Sequence, residues 1–272
     1  MTIRRKYSGS IATLPRGLFN CEQDAWAVLQ GVILRHNVNI DVADGDVRVD
    51  IISTWLRQIL PESIRQDVMI FNGSDWSNRR SMVVETYKAA VRNAMWGRNF
   101  THVFSGNLSG DQAQLFSVSE APSMGVRLVP ESAEKAPDAE LLTFNFGKTL
   151  QPIEEKDATT WFEASQVNVS HTSEARELIA AMAGMNKLAS ARNYNFWLVP
   201  GAVWRRIYQW ANAQAFAEGR NTLRVEDFLA VRYFLPTDWL DYAINEWSPE
   251  LSPELYRVVE PLLRALSGKA EK

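Results

Sequence analysis

One stretch of the chain carries its clearest fold signal: residues 37–51, with the sequence NVNIDVADGDVRVDI. Apolar side chains alternate with polar ones on both sides of Asp44-Gly45, a pattern typical of two strands joined by a tight turn. Both central residues of such a turn need a positive φ angle, which Asp and Gly tolerate better than most residues. The stretch therefore predicts a β-hairpin with strands near 37–43 and 46–51.

The sequence around this stretch predicts an α+β protein. Residues 1–20 look extended, and short β-type runs between 101 and 150 predict a small antiparallel sheet that the hairpin joins. Helical periodicity predicts helices at 22–36, 52–60, 78–96, 173–192, 201–218, 225–234, 238–246 and 252–267. We therefore expect a helix-rich α+β fold, with an α+β domain over 1–160 and an all-α helical bundle over 161–272.

Composition limits the classes of protein to consider. The chain has 272 residues, of which 46% are hydrophobic and 22% charged, as in ordinary folded domains and unlike disordered or collagen-like chains. The net charge is −3, and no third of the chain is basic enough to indicate nucleic-acid binding by its field alone. The longest apolar run, 196–204, is far shorter than the roughly 20 residues of a membrane span. We expect a cytoplasmic protein without a membrane partner.

The chain is poor in the residues that build metal and catalytic sites. It has one cysteine and three histidines, and none of the histidines has a neighbour at metal-ligand spacing. Gly147-Lys148-Thr149 matches the end of a phosphate loop, but Leu142 stands where that loop needs its first glycine. We expect no metal, no cofactor and no catalytic residues. An enzyme whose site is assembled from distant residues, among them His102 or His171, remains an alternative.

The segment 76–100 is the best candidate for nucleic-acid binding. Arginines can hold phosphates while aromatic side chains stack on bases, and this segment interleaves the two types. The candidate residues are Arg79, Arg80, Lys88, Arg92 and Trp76. An amphipathic helix with a solvated basic face explains the same pattern, and we favour that interpretation.

The chain has ten tryptophans, a high number. Most fall in apolar helical stripes, which predicts core packing for residues such as Trp26, Trp55 and Trp210. Trp161, Trp239 and Trp247 lie beside acidic or turn residues, so we expect them to be partly exposed and to contribute to a contact surface.

Residues 178–241 resemble the helical lid domain of MoxR-type AAA+ ATPases. The residues that carry the resemblance are Trp204, Ala211, Ala213, Ala215, Gly219, Arg220, Leu223, Glu226, Asp227, Phe228, Leu229 and the exit Leu235-Pro236-Thr237-Asp238. The family's lid has an arginine that senses nucleotide phosphates, and counting back from Gly219 places Ala202 there. Arg224 replaces the usual Ser or Thr cap. The resemblance thus implies a lid-like helical module that serves protein docking or assembly without a phosphate loop.

These observations lead to three hypotheses for function. The first is a non-catalytic protein-interaction or assembly subunit of a larger bacterial or phage complex, with a protein partner that could be an AAA+ ATPase. Its contact residues would be Trp204, Trp239, Trp247 and Arg220. The second is a nucleic-acid-binding subunit that uses 76–100, and the third is the enzyme with a dispersed site.

Overall fold

The computed structural model describes residues 2–41, 46–71, 101–105, 123–128, 146, 150–167, 169–180, 183 and 201–234. The chain divides into two units, Met1–Phe162 and Glu163–Lys272. No helix within these described ranges is both long enough and apolar enough to traverse a lipid bilayer.

The described strands of the first unit form a sheet of four parallel strands. They are β1 (Asn37–Asp41), β2 (Val68–Phe71), β3 (Thr101–Ser105) and β4 (Ser123–Arg127), in the spatial order β2-β3-β1-β4. On β1, Val38 pairs with Val103 on one side and with Met124 on the other. Because all four strands run the same way, their carboxyl ends lie at one edge of the sheet.

The described helices of the first unit precede β1, follow it, or come after the sheet. Their bounds are α1 (Ile3–Ala12), α2 (Glu22–Ile33), α3 (Arg48–Ile59), α4 (Glu62–Arg65) and α5 (Glu155–Ser165). Helix α3 buries Val49, Ile52, Leu56 and Ile59, whose spacing of three and four residues gives the helix one apolar side.

The predicted β-hairpin is wrong in its second half. Its first strand is present as β1, but Arg48–Ile59 is a helix. The side-chain carboxylate of Asp46 accepts a hydrogen bond from the Arg48 backbone amide, so Asp46 starts a helix where the alternation of Val47, Val49 and Ile51 suggested a strand. Tertiary burial of the α3 side chains explains why helix wins over that alternation.

The predicted antiparallel sheet is also wrong, because every described strand pair is parallel. The predicted run at 102–104 lies within β3, whereas the run at 126–129 overlaps β4 only at 126–127. The run at 114–118 and residues 141–145 of the run at 141–146 lie outside the described residues. The N-terminal residues are helical rather than extended. Thr2 caps α1 by accepting from the Arg5 amide, and Ile3, Tyr7 and Ile11 form its buried side.

Hydrogen bonds tie α1 to the segment that begins α5. The Tyr7 hydroxyl donates to Asp157 Oδ2 at 2.6 Å and accepts from the Glu154 amide at 2.9 Å. Lys6 Nζ lies 2.7 Å from Glu154 Oε1 and 2.8 Å from Asp157 Oδ2. One helical turn further along α1, the Ser10 hydroxyl exchanges hydrogen bonds with the backbone of Gln151. Lys6, Tyr7 and Ser10 of α1 thus bond to residues about 150 positions away.

The second unit is helix-rich but not all-α. Residues 173–180 are helical, and α6 (Gly201–Ala217) is followed by a 3₁₀ helix (Val225–Ala230) and α7 (Val231–Phe234). Two short strands, β5 (Ser170–His171) and β6 (Thr222–Leu223), pair in parallel. The predicted all-α helical bundle is therefore not supported. The helices predicted at 238–246 and 252–267 lie outside the described residues.

Helix α6 ends at Ala217, close to the predicted end at 218, and Gly219 lies in the turn that follows. Gly219 has φ = 75°, its amide donates to the Phe216 carbonyl, and the Arg220 amide donates to the Ala215 carbonyl. This pair of bonds is a Schellman motif, which needs a left-handed residue at the glycine position. The turn directs the chain from α6 into β6.

Candidate functional site

The carboxyl edge of the parallel sheet is the candidate site in the first unit. From β1 the chain crosses to the edge strand β2, and from β3 it crosses the other way to the edge strand β4. Ligands of open parallel sheets bind at the carboxyl ends of strands where the direction of the crossovers reverses. In this sheet that point lies between the neighbouring strands β1 and β3.

Asp46 and Arg48 form a buried ion pair at this edge, where α3 begins. The Asp46 carboxylate accepts from the Arg48 amide at 2.9 Å and from Arg48 Nε at 3.0 Å, and Arg48 Nη2 adds a further bond. The Arg48 side chain is 3% exposed and that of Asp46 12%. A carboxylate therefore lies against the first amide of a helix and against a guanidinium.

This arrangement resembles an anion site that the chain fills with its own side chain. A phosphate loop joins a strand to a helix through Gly-x₄-Gly-Lys-Ser/Thr, and helix amides and the lysine hold the phosphate. With Arg48 at the lysine position, Val42 and Val47 replace the glycines and Val49 replaces the hydroxyl residue. Asp46 supplies a negative charge next to the amide and cation that a phosphate would otherwise contact.

Within the described residues, no group of three or more His, Cys, Asp and Glu side chains is arranged to hold a metal ion. His36 is buried at the end of α2, and His171 lies in β5, in the second unit. The rings of His171 and Tyr208 contact each other edge to face, 6.0 Å apart. The structure thus places these two histidines in different units, while His102 lies in β3.

The predicted contact residues of the second unit have different surroundings. Trp204 is half-buried near the start of α6. Arg220 bonds within the chain: its Nη1 donates to Asp227 Oδ2 at 2.8 Å and to the Thr222 carbonyl at 3.0 Å, and its Nη2 lies 2.7 Å from Glu218 Oε2. The hydrogen bond to Asp227, which outweighs the cost of burial, raises the pKa of Arg220. The Arg220 guanidinium therefore holds the turn after α6.

Several other predicted site residues cannot be placed, because they lie outside the described residues. They are Trp239, Trp247, Arg79, Arg80, Lys88, Arg92 and Trp76. Among the tryptophans with described side chains, Trp26, Trp55 and Trp210 are buried as predicted. Trp161, expected to be partly exposed, is fully buried and packs against Trp26 at 6.4 Å.

The sequence reasoning missed Arg205 and Arg206. Arg205 is exposed on α6 and Arg206 is half-buried. Neither guanidinium forms a hydrogen bond or ion pair among the residues that the structure describes. Burial and the neighbouring Arg205 charge lower the pKa of Arg206. The signal that could have found the pair is the sequence of α6 itself, which contains two arginines and no acidic residue.

Comparisons with known proteins show a similarity of fold. No protein-family model matches the chain, and neither does any curated protein sequence. A solved structure from Cytophaga hutchinsonii, described as a "putative ATPase", superposes with a TM-score of 0.54 at 12% identity, over 96% of this chain and 93% of that one. The likeness extends over nearly the whole chain and does not single out the lid segment. The chain is therefore similar in fold to that ATPase-type structure along nearly its entire length.

Proposed function

We propose that this protein is a non-catalytic interaction subunit of a larger bacterial or phage assembly, with an ATPase-like fold and an AAA+ ATPase among its partners. The second unit presents the contact surface, to which Trp204, Trp239 and Trp247 contribute. Arg220 supports that surface by holding the turn after α6.

The observation that carries the proposal is the Asp46–Arg48 pair. A phosphate bound at the start of α3 would need the Arg48 amide and guanidinium, and both already bond to the Asp46 carboxylate. A second anion next to this carboxylate would be repelled, because two like charges at short range in a buried site cost several kcal/mol. An ATPase-like fold that keeps a carboxylate here favours assembly over nucleotide hydrolysis.

The residues around this pair give a second, independent reason. Val42, Val47 and Val49 stand where a phosphate loop needs two glycines and a hydroxyl. Glycines let backbone amides approach the phosphate, and the hydroxyl holds Mg²⁺. Three branched apolar side chains offer neither function.

Two measurements on the purified full chain test the absence of nucleotide chemistry. Isothermal titration with Mg·ATP should give no binding heat, and a phosphate-release assay should give no turnover above buffer. Binding of Mg·ATP that Arg48→Ala abolishes would contradict the proposal directly.

Affinity purification from the native host, with and without nuclease, tests the assembly role. Partners should survive nuclease, and Trp204→Ala should reduce their recovery. Phe162→Ala is a matched control, because Phe162 is an exposed aromatic side chain on α5 (36%). Loss of all partners with nuclease would favour nucleic-acid binding through 76–100 instead.

A further inference from the structure

We infer that the N-terminal half of α6 is a docking surface for an acidic protein segment, with Arg205 and Arg206 binding its carboxylates beside Trp204 and Tyr208. This inference rests on the proposed function and names the chemistry of the partner. We call these four residues the α6 surface.

Among the described residues, none supplies a counterion to the two arginines of the α6 surface. Helix α6 carries two arginines and no Asp or Glu, so no acid in the same helix can pair with them at i±3 or i±4. Among the described residues, no other group bonds to either guanidinium.

For Arg206, the absence of a counterion among the described residues carries a cost in free energy. An exposed arginine such as Arg205 needs no partner, because water solvates it. Arg206 is half-buried, and charged groups withdrawn from water are normally paired. Burial and the adjacent Arg205 both disfavour its charge and lower its pKa. An incoming carboxylate would relieve both effects at once.

The aromatic neighbours identify a protein contact as the better fit. Trp204 and Tyr208 are one helical turn apart, so they lie on the same side of α6. Arg205 and then Arg206 follow around the helix at about 100° per residue, with Arg205 nearer to the two rings. Tyr208 is fixed by ring contacts with His171 at 6.0 Å and Phe228 at 5.5 Å, so it loses little freedom on binding. Trp, Tyr and Arg are the residues most enriched at the energetic centres of protein interfaces.

The probe for the test is a fluorescent peptide of alternating Glu and Leu, with the Gln-Leu peptide as its neutral counterpart. Fluorescence anisotropy with the full chain should show binding of the Glu peptide only. Arg205→Glu should weaken it by at least about tenfold, since charged hot spots are worth more than a kcal/mol. Arg16→Glu, an exposed arginine before α2, makes the same charge change and should leave the affinity within about twofold.

The Arg206→Met variant tests whether misfolding explains a loss of peptide binding. It removes a half-buried cation that no described residue pairs with but keeps an unbranched apolar stem, so it should raise the melting temperature while weakening peptide binding. Equal binding of both peptides, or unchanged binding in Arg205→Glu and Arg206→Met, would overturn the inference. Binding of a single-stranded oligonucleotide that Arg205→Glu abolishes, without peptide binding, would overturn it in favour of nucleic acid.

Capture from the host and peptide binding together distinguish a failure of the α6 surface from a failure of the proposed function. If nuclease-resistant partners are captured from the host equally well by wild type and Arg205→Glu, the assembly role stands and the α6 surface does not. If no partner is captured but the Glu peptide binds as described, the α6 surface stands and the assembly role does not.

Discussion

The Asp46 carboxylate bonds to both the backbone amide and the guanidinium of Arg48, so one side chain starts helix α3 and neutralises a buried cation. The two residues are separated by a single position in the sequence. Their pairing places a fixed negative charge at the carboxyl edge of the sheet.

Asp46→Ala should lower the free energy of unfolding by about 3–5 kcal/mol, because it removes one partner of a buried ion pair. Urea denaturation followed by circular dichroism measures this. The double variant Asp46→Ala/Arg48→Met removes both charges and should recover most of the loss. Asp67→Ala is the control: Asp67 pairs with Arg35 at 3.0 Å but is 44% exposed, so its removal should cost at most about 1 kcal/mol. Equal losses in the two single variants would contradict this account.

Acid should destabilise the first unit through Asp157. Burial opposes ionisation of this carboxyl group, but hydrogen bonds from Lys6 and Tyr7 outweigh it and lower the Asp157 pKa below its ordinary value of 3.8. A lowered folded-state pKa contributes stability above pH 3.8 that is lost as the pH falls through the lowered value. The difference in melting temperature between wild type and Asp157→Asn should therefore be largest near neutral pH and shrink toward pH 3. A constant difference would show that the carboxylate charge does not matter.

Two Gly→Ala variants should have opposite signs. At Gly219, φ is 75°, and a Cβ there should cost roughly 1–2 kcal/mol. Gly9 lies inside α1, and a Cβ added to it meets nothing within 4 Å, so Gly9→Ala should stabilise by about 0.5–1 kcal/mol. Both changes restrict the unfolded chain equally, so their difference reports the backbone conformation. Thermal unfolding of both variants checks it, and the same sign in each would contradict the assignment of the helix end.

Asp227 should be essential to the turn after α6. It is 1% exposed, accepts from Arg220, and caps the 3₁₀ helix by accepting from the Arg224 amide at 2.8 Å. Asp227→Ala should cost about 1.5–3 kcal/mol in the second unit, because it removes the hydrogen bonds that Asp227 accepts from the Arg220 guanidinium and the Arg224 amide, while Glu218 still pairs with Arg220. Arg220→Lys keeps the charge but loses the two-pronged geometry. It should therefore destabilise the second unit, but by less than Arg220→Ala does. Hydrogen exchange of amides in 201–234 reports these losses separately from the first unit.

The sequence predicted secondary structure best where the local and the tertiary preferences agree. Helix α2, strand β1, the Gly219 helix end and the buried Trp55 all follow from local pattern and capping rules. The direction of the strands did not follow, because parallel and antiparallel strands share the same apolar residues, and only the crossovers distinguish them. Asp46 is compatible with both structures, because an Asp at this position can begin a helix as well as take part in a turn.

The candidate sites were harder to predict. Arg48 looked like a polar position of a strand, and its burial comes from the fold around it. Arg220 is bonded inside the second unit by Asp227, seven positions away, a contact that helical periodicity does not indicate. Arg205 and Arg206 drew no prediction, because nothing in a linear pattern reports which of two adjacent side chains is half-buried.

The bond between Tyr7 and Asp157 spans 150 residues, and this separation sets an order of events during synthesis. At about 5–20 residues per second, a ribosome takes roughly 8–30 s to add the chain between the two residues. During that interval Lys6 and Tyr7 have been made but Glu154 and Asp157 have not, so α1 and α5 cannot yet bond to each other. Helix α1 is thus secured only after Asp157 has been made, which leaves a window in which a chaperone or a partner can hold this helix.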